Sequence, residues 1–156
     1  MKGGSKKRLV HELMLALTEL RNVSDQVDQA VSDRLGLNRT DARCLACLIV
    51  RGPMPAGELA AAAGLTPSAL TFAVDRLTQA GYAERAQDPG DRRRVLVRAA
   101  DRAVRFAEQA WSETIAESER QLAKYTAPQL ELLTGFVREH IQLQRRHASR
   151  IRDETD

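Results

Sequence analysis

Aromatic residues and cysteines are scarce in this chain. Phe, Trp and Tyr make up 4% of its 156 residues although 43% are hydrophobic, so Leu, Ala and Val must build most of the core. No apolar run approaches the roughly 20 residues that a membrane span needs, and no apolar stretch of a secretory signal follows the basic N-terminal residues. We therefore expect a cytoplasmic protein with no membrane partner and with free thiols.

The motifs of common catalytic sites are also missing. The sequence has no glycine-rich phosphate loop, no nucleophile elbow and no paired acid near a histidine. His11, His140 and His147 are far apart and follow no metal-binding spacing. His140 and His147 would share a helix face, where an interface or solvated role is favoured over metal binding. We expect a protein that is not an enzyme and uses no metal or cofactor.

Cys44 and Cys47 have the CxxC spacing of redox and zinc sites. They fall in the middle of a predicted helix without a second pair of ligands, and a disulfide between them there would be strained. Packing is the favoured interpretation. A regulator that senses oxidants through these thiols is the alternative.

Proline and glycine cluster at 52–67 and 89–90, which predicts a mostly α fold with one small β-hairpin. A turn is expected at Gly52–Pro55, with Pro55 opening a short helix, and a frayed tail at 151–156. The other expected helices are about 6–35, ended by Gly36; Thr40–Arg51, with Thr40 as N-cap; Pro67–Ala80; about 101–125; and one that follows a Thr126–Gln129 capping box.

The segment Glu58–Leu77 has the pattern of a helix-turn-helix. Gly64 provides the conformational freedom that a tight turn requires, and Thr66-Pro67 provides an N-cap and a first-turn proline for the second helix. At about 100° per residue, the apolar side chains of that second helix share one face and the short polar ones the other. The inner face is Leu70, Ala73, Val74 and Leu77; the outer face is Ser68, Thr71, Phe72, Asp75 and Gln79. Such a helix suits the DNA major groove, which is about 12 Å wide.

A basic hairpin follows. The net charge is only +3, but five arginines crowd the predicted strands Tyr82–Gln87 and Arg94–Ala99 and the turn between them. Val95 and Val97 are expected to face inward, with Arg94, Leu96 and Arg98 outward. The basic tip is placed to reach a DNA minor groove, with Arg93 favoured for that contact and Asp91 as its orienting partner.

Phe72 is unusual, because a large apolar side chain on an outward helix face normally indicates an interface. One interpretation is contact with a thymine methyl group. The other is that Phe72 leans over the neighbouring helix and is half-buried.

Together these residues resemble the multiple antibiotic resistance regulator (MarR) family of winged helix-turn-helix repressors. The resemblance is carried by Leu35-Gly-Leu-Asn-Arg-Thr40, Glu58-Leu-Ala60, Asp75-Arg-Leu77, Gly81-Tyr82 and the wing Asp88-Pro-Gly-Asp-Arg-Arg93. It implies a homodimer on a pseudo-palindromic operator and a small-molecule effector, aromatic or anionic. Residues 1–36 and 101–150 would form dimerisation helices, and 37–100 the DNA-binding lobe. The rival hypothesis is a helical dimer whose winged lobe binds another protein.

The resemblance also assigns site residues. Arg93 matches the family's arginine that enters the minor groove, and Asp91 matches the acidic residue of the wing. Ser68 and Thr71 match polar positions of the family's recognition helix, called the reading helix below. The expected DNA contacts are Thr66, Ser68, Ala69, Thr71, Phe72, Asp75 and Arg76 in the reading helix, and Asp91, Arg92, Arg93 and Arg94 in the wing. Two segments depart from the pattern: Phe72 replaces a frequent arginine, and Ala99-Ala-Asp-Arg-Ala103 replaces the usual Leu-Thr-x-x-Gly.

Overall fold

The structure is a computed structural model that describes residues 2–91 and 93–153, with the side chains of 5–91 and 93–151. It confirms a mostly α fold with a small antiparallel sheet. The elements are α1 (Lys2–Leu35), α2 (Arg39–Arg51), β1 (Met54–Pro55), α3 (Ala56–Ala63), α4 (Pro67–Gln79), β2 (Ala83–Gln87), β3 (Val95–Ala99), α5 (Asp101–Leu122) and α6 (Ala127–Asp153). The chain divides into two compact units, Met1–Glu108 and Gln109–Asp156.

The start of α2 differs from the prediction. Asn38, and not Thr40, is the N-cap: its Oδ1 accepts a hydrogen bond from the backbone N–H of Asp41 at 2.9 Å. The asparagine side chain satisfies a free amide of the first turn, so the helix begins at Arg39, and Thr40 lies inside it.

The segment predicted as a turn at 52–55 contains a short strand. Met54 pairs with Val97 and Pro55 with Leu96, so β1 lies at the edge of a sheet ordered β1-β3-β2. An edge strand tolerates proline because one side of its backbone needs no ladder partner. Met54 is buried, and this burial favours pairing over a free turn.

The hydrophobic core lies in the first unit, between α2, α3, α4 and the sheet. Its larger members are Leu45, Leu48, Met54, Leu59, Leu70, Val74, Leu77 and Val97. Gly64 ends α3 in the left-handed region, with φ +64°, as the predicted turn requires. Val95 and Val97 were both expected to face inward; Val97 is buried, but Val95 is 55% exposed, because it pairs with Gln87 at the tip of the hairpin, beyond the reach of β1.

The terminal helices also differ in detail from the prediction. α5 ends at Leu122, three residues before the expected Tyr125. Before α6, the Thr126 backbone N–H donates to Gln129 Oε1 at 2.8 Å, which is one half of the predicted capping box. The Thr126 hydroxyl lies 3.0 Å from the same oxygen. α6 continues to Asp153, into the tail expected to fray, whose last residues 154–156 lie outside the described part.

None of the helices in the described residues combines the length and the apolar character required to cross a membrane.

Candidate nucleic-acid interface

The predicted division of α4 into two faces is confirmed. Leu70, Ala73, Val74 and Leu77 are all at most 2% exposed, and they anchor the helix on the core. Ser68, Thr71, Phe72, Asp75 and Gln79 are exposed on the other side. The apolar anchor therefore fixes which side chains the helix presents to a partner.

The start of α4 is held by hydroxyl groups. Thr66 Oγ1 accepts a hydrogen bond from the Ala69 N–H at 3.3 Å and lies 3.2 Å from Ser68 Oγ. The Thr71 hydroxyl donates to the Pro67 carbonyl at 3.0 Å, which leaves its oxygen lone pairs as acceptors toward the outside. Thr66 and Thr71 thus form part of the helix's own hydrogen bonding, while Ser68 lies at the exposed first turn.

Both charged side chains of α4 are engaged within the lobe. Arg76 binds Asp41 of α2 through two hydrogen bonds, Nε to Oδ2 at 2.8 Å and Nη2 to Oδ1 at 2.6 Å. The Asp41 side chain is only 3% exposed, and Asn38 Nδ2 donates to it at 2.8 Å. Asp75 accepts a hydrogen bond from Arg85 Nη2 of β2 at 2.8 Å. Arg76 is therefore directed to α2, and Asp75 to the hairpin.

Sequence reasoning missed Asp41. It lies 35 positions before Arg76, and no spacing rule connects the two. The local signal was an acidic residue three positions after a good N-cap residue, a pattern typical of the first turn of a helix. Its second role, as the buried partner of Arg76, became visible only when α2 and α4 were packed together.

The tip of the hairpin is shaped by Asp91. Its Oδ1 accepts a hydrogen bond from the Arg93 N–H at 3.1 Å and lies 3.5 Å from Arg93 Nε. The Arg93 side chain is 94% exposed, so this contact orients a guanidinium that remains open to solvent. Arg94 Nη2 lies 3.8 Å from Glu58 Oε1 of α3. The expected contact from Arg92 lies outside the described residues.

A cluster around Tyr82 connects the hairpin to α1 and α5. The Arg102 guanidinium lies over the Tyr82 ring, 4.3 Å from its centroid, and donates to the Ala80 carbonyl and to Tyr82 Oη, each at 3.2 Å. Tyr82 Oη donates to the Leu35 carbonyl at 3.3 Å. Nearby, Arg34 lies 5.6 Å from the centroid of the Phe106 ring. These contacts fix the end of α1 and the start of α5 against the winged lobe.

Solved structures share this fold. A MarR family protein from Bacillus stearothermophilus aligns with a TM-score of 0.61 and 20% identity over 88% of this chain and 96% of that one. NadR, solved in complex with 4-hydroxyphenylacetate, aligns with a TM-score of 0.60 and 19% identity over 80% and 89%. At these identities the likeness establishes the fold.

Sequence comparison decides the family. The MarR family model matches residues 37–95. An uncharacterized HTH-type transcriptional regulator of Bacillus subtilis (strain 168), YcgE, is 39% identical over 110 residues, which are 70% of this chain and 71% of that protein. The chain belongs to the MarR family. The relationship predicted from the wing and the helix-turn-helix is therefore confirmed, and the protein is a MarR family transcriptional regulator.

The matched range contains the expected DNA contacts of this MarR protein, and it includes Phe72. The Phe72 side chain is 65% exposed, so the interpretation that it is half-buried against the neighbouring helix is wrong. The second departure, Ala99–Ala103, lies beyond the matched range. It contains Arg102, the arginine that stacks on Tyr82.

The cysteines of this MarR protein lie in different environments. Cys44 is buried in the core and Cys47 is partly exposed, and both are free thiols. Burial, reinforced by the neighbouring Cys47, raises the pKa of the Cys44 thiol to about 11. Because the thiolate is the reactive form, this environment favours packing for Cys44 over oxidant sensing.

Proposed function

We propose that this MarR family regulator acts as a homodimer that represses transcription by binding a pseudo-palindromic operator, with its affinity modulated by a small molecule. The observation that carries the proposal is the pairing, in one lobe, of an exposed polar helix face with an outstretched arginine. Ser68, Thr71 and Phe72 are exposed on α4, and Arg93 is 94% exposed at the tip of the adjoining hairpin.

Each half of this pair suits a different groove of B-form DNA. The outward side chains of α4 are mostly short, which lets the helix backbone enter a major groove about 12 Å wide. An extended arginine fits the narrow minor groove, where A·T tracts concentrate negative potential. In the proposed complex α4 therefore reads bases, and Arg93 contacts the flanking minor groove.

The homodimer is supported by apolar surface on the terminal helices. On α1, Leu9, Leu13 and Leu20 are 46–62% exposed, and on α6, Leu133, Val137 and Ile141 are 42–50% exposed. Both sets recur at roughly helical spacing. Exposed apolar stripes of this length normally belong to a protein interface, and a second copy offers a self-complementary surface. A dimer would present two α4 helices to half-sites about one DNA turn, ~34–36 Å, apart.

Modulation by a small molecule would act on the separation of those helices. NadR, a protein of the same fold, was solved with the aromatic acid 4-hydroxyphenylacetate, which supports an aromatic or anionic effector here. A ligand shifts an equilibrium by its differential affinity for two forms, typically ~1–3 kcal/mol. In one of the two forms the distance between the two α4 helices would not match the spacing of the operator half-sites, and this form would bind the operator more weakly.

Selection of bound duplexes from a random pool, at two salt concentrations, tests the proposal. The expected result is a pseudo-palindrome with half-sites one helical turn apart, bound more weakly at the higher salt because counterions are released on binding. Failure to enrich any duplex would favour the rival function, in which the winged lobe binds another protein.

The wing is tested by Arg93→Ala. Loss of one phosphate-neutralising charge lowers the slope of log affinity against log salt by ~0.9, so two copies should lower it by about 2. Arg21→Ala is the matched control, since Arg21 is an exposed arginine of α1 outside the winged lobe. Both variants should remain dimeric in sedimentation. An unchanged slope for Arg93→Ala would remove the wing from the mechanism.

A further inference from the structure

The one cationic side chain of α4 is directed to α2. Within α4, Arg76 is the one basic residue, and the Nε–Nη2 edge of its guanidinium is bound to Asp41 at 2.8 and 2.6 Å. Guanine is most often read by a bidentate arginine or lysine that binds its O6 and N7 atoms. Moving Arg76 to a guanine would leave the carboxylate of Asp41 buried without its cation, which is strongly unfavourable.

The acidic residue of the helix also has a partner within the lobe, in an exposed ion pair. Asp75 is paired with Arg85 at 2.8 Å, whereas a carboxylate that reads cytosine must accept a hydrogen bond from the N4 amino group. The outward groups that remain on the central part of α4 are the Thr71 oxygen and the Phe72 ring. Of these, Phe72 has the larger surface, and its side chain is 65% exposed.

A phenyl ring selects among bases by apolar contact. The thymine C5 methyl is the apolar group that the base edges present in the major groove, because the other groups there are hydrogen-bond donors and acceptors. Phe72 lies one turn after Ser68 on the same outward face, so its ring faces the same groove as that hydroxyl. Placing the ring against a methyl removes apolar surface of both groups from water.

We propose that Phe72 is a specificity-determining residue that selects a thymine methyl in each operator half-site, and that α4 reads no guanine through an arginine. This inference rests on the proposed function, since it assumes that α4 enters the major groove. It gives the operator a chemical signature, which is dependence on a single methyl group at one position of each half-site.

Replacement of thymine by uracil isolates that methyl group. Uracil keeps every hydrogen-bonding atom of thymine and lacks only the C5 methyl. On duplexes selected with the wild-type protein, each thymine is replaced singly, and Kd is measured by fluorescence anisotropy at fixed salt. One position per half-site should weaken wild-type binding about fourfold, the equivalent of ~0.8 kcal/mol for one buried methyl-sized group. Replacement in both half-sites should multiply the factors, to roughly 15-fold.

Variants at position 72 assign the effect to the ring. Phe72→Ala should bind thymine and uracil duplexes equally well, whereas Phe72→Leu should keep a preference for thymine because it keeps an apolar side chain. Val50→Ala is the matched control: Val50 is an apolar residue of α2 with 80% exposure, and its removal should leave the uracil effect at fourfold. Phe72 is exposed, so these variants should fold and dimerise as the wild type does.

The outcomes separate this inference from the proposed function. Selected duplexes that lose no affinity at any uracil position, or that lose it equally with Phe72→Ala, would overturn the role of Phe72 and leave the regulator intact. A dominant guanine contact that disappears in Arg76→Ala, with folding retained, would also overturn it. Failure of the wild-type protein to select any duplex would overturn both.

Discussion

The winged lobe and the terminal helices of this protein use hydrophobic residues in opposite ways. Between α2 and β3, most of the larger apolar side chains converge on one core, and Leu59 and Leu77 are completely buried. In residues 5–31 of α1 and in 109–151, no described residue is buried, although both stretches carry many Leu, Val and Ile side chains. The apolar side chains of the lobe are thus mostly covered within the lobe, while the apolar stripes of the described parts of the helices are exposed.

The difference follows from where the chain turns. Pro and Gly divide residues 36–90 into short elements whose apolar faces can meet after brief connections. Long helices cannot fold back on themselves, and their apolar stripes need another helix alongside. Supplying that helix from a second copy would make dimerisation part of folding, as in many obligate dimers.

A charge placed in the α6 stripe should have the largest effect. Val137→Glu would put a carboxylate into the proposed interface twice, once per copy. An uncompensated buried polar group costs at least ~2 kcal/mol, so the two copies together should cost at least ~4 kcal/mol. Dimer affinity should therefore fall by roughly 1,000-fold, and operator affinity should fall with it. Sedimentation velocity across a concentration series measures the first effect.

Gln142→Glu is the control for that variant, because it lies on the face of α6 opposite Leu133 at 100° per residue and should leave the dimer unchanged. If Val137→Glu remained dimeric, α6 would be removed from the interface, and the contrast between the lobe and this helix would need another explanation.

The Asp41–Arg76 pair tests the lobe itself. Arg76→Ala leaves a carboxylate that is 3% exposed without its cation, and we expect a loss of about 3 kcal/mol in the free energy of unfolding. In an Asp41→Asn background the same change should cost much less, because no buried charge is left unpaired. Urea titrations at equal protein concentration measure both.

A surface pair provides the comparison. Arg85→Ala breaks the contact with Asp75, in which both side chains are about half-exposed, and such pairs contribute at most about 1 kcal/mol. If Arg76→Ala and Arg85→Ala cost the same, the contact between α2 and α4 would be no stronger than a surface ion pair.

The elements of the lobe were predictable because their signals are local. The Thr66-Pro67 start of α4, the turn at Gly64 and the inner face of Leu70 to Leu77 each depend on residues within a few positions. In α2 the N-cap was predicted at Thr40, whereas it lies two residues earlier at Asn38, a residue type that is equally suited to this position. The end of the helix at Arg51 was predicted correctly, and its start lies two residues earlier than predicted.

What could not be predicted depends on distant partners. The strand at Met54–Pro55 forms because β3 lies beside it, and Val95 is exposed because its end of the hairpin has no cover. The engagement of Arg76 by Asp41 likewise requires α2 and α4 to be packed first. Residue types indicate candidates for DNA contact. Only the packed structure shows which of the charged candidates already form ion pairs within the lobe.

Variants at the contact between the winged lobe and the helices α1 and α5 should lose an intermediate amount of the free energy of unfolding. Arg102→Ala removes the cation–π contact with Tyr82 and two hydrogen bonds, but the site is exposed, so we expect a loss of about 1 kcal/mol. Tyr82→Phe keeps the ring under Arg102 and removes the contact with the Leu35 carbonyl, so it should cost less. If Tyr82→Phe cost more than Arg102→Ala in urea titrations, the link to α1 would matter more than the stacking.

Ionisation of the Cys44 thiol should have the smallest effect on the stability of the fold at neutral pH. Its pKa is raised from the ordinary 9.0 to about 11, so the folded state favours the thiol. Stability from this preference is fully present below pH 9 and is lost as the pH rises toward 11, because the unfolded chain ionises first. At pH 7.5 iodoacetamide should therefore label the partly exposed Cys47 faster than Cys44, as read by mass spectrometry. Equal rates for the two thiols in the folded protein would show that the core of the lobe opens readily, and the contrast between a closed lobe and helices with exposed apolar stripes would fail.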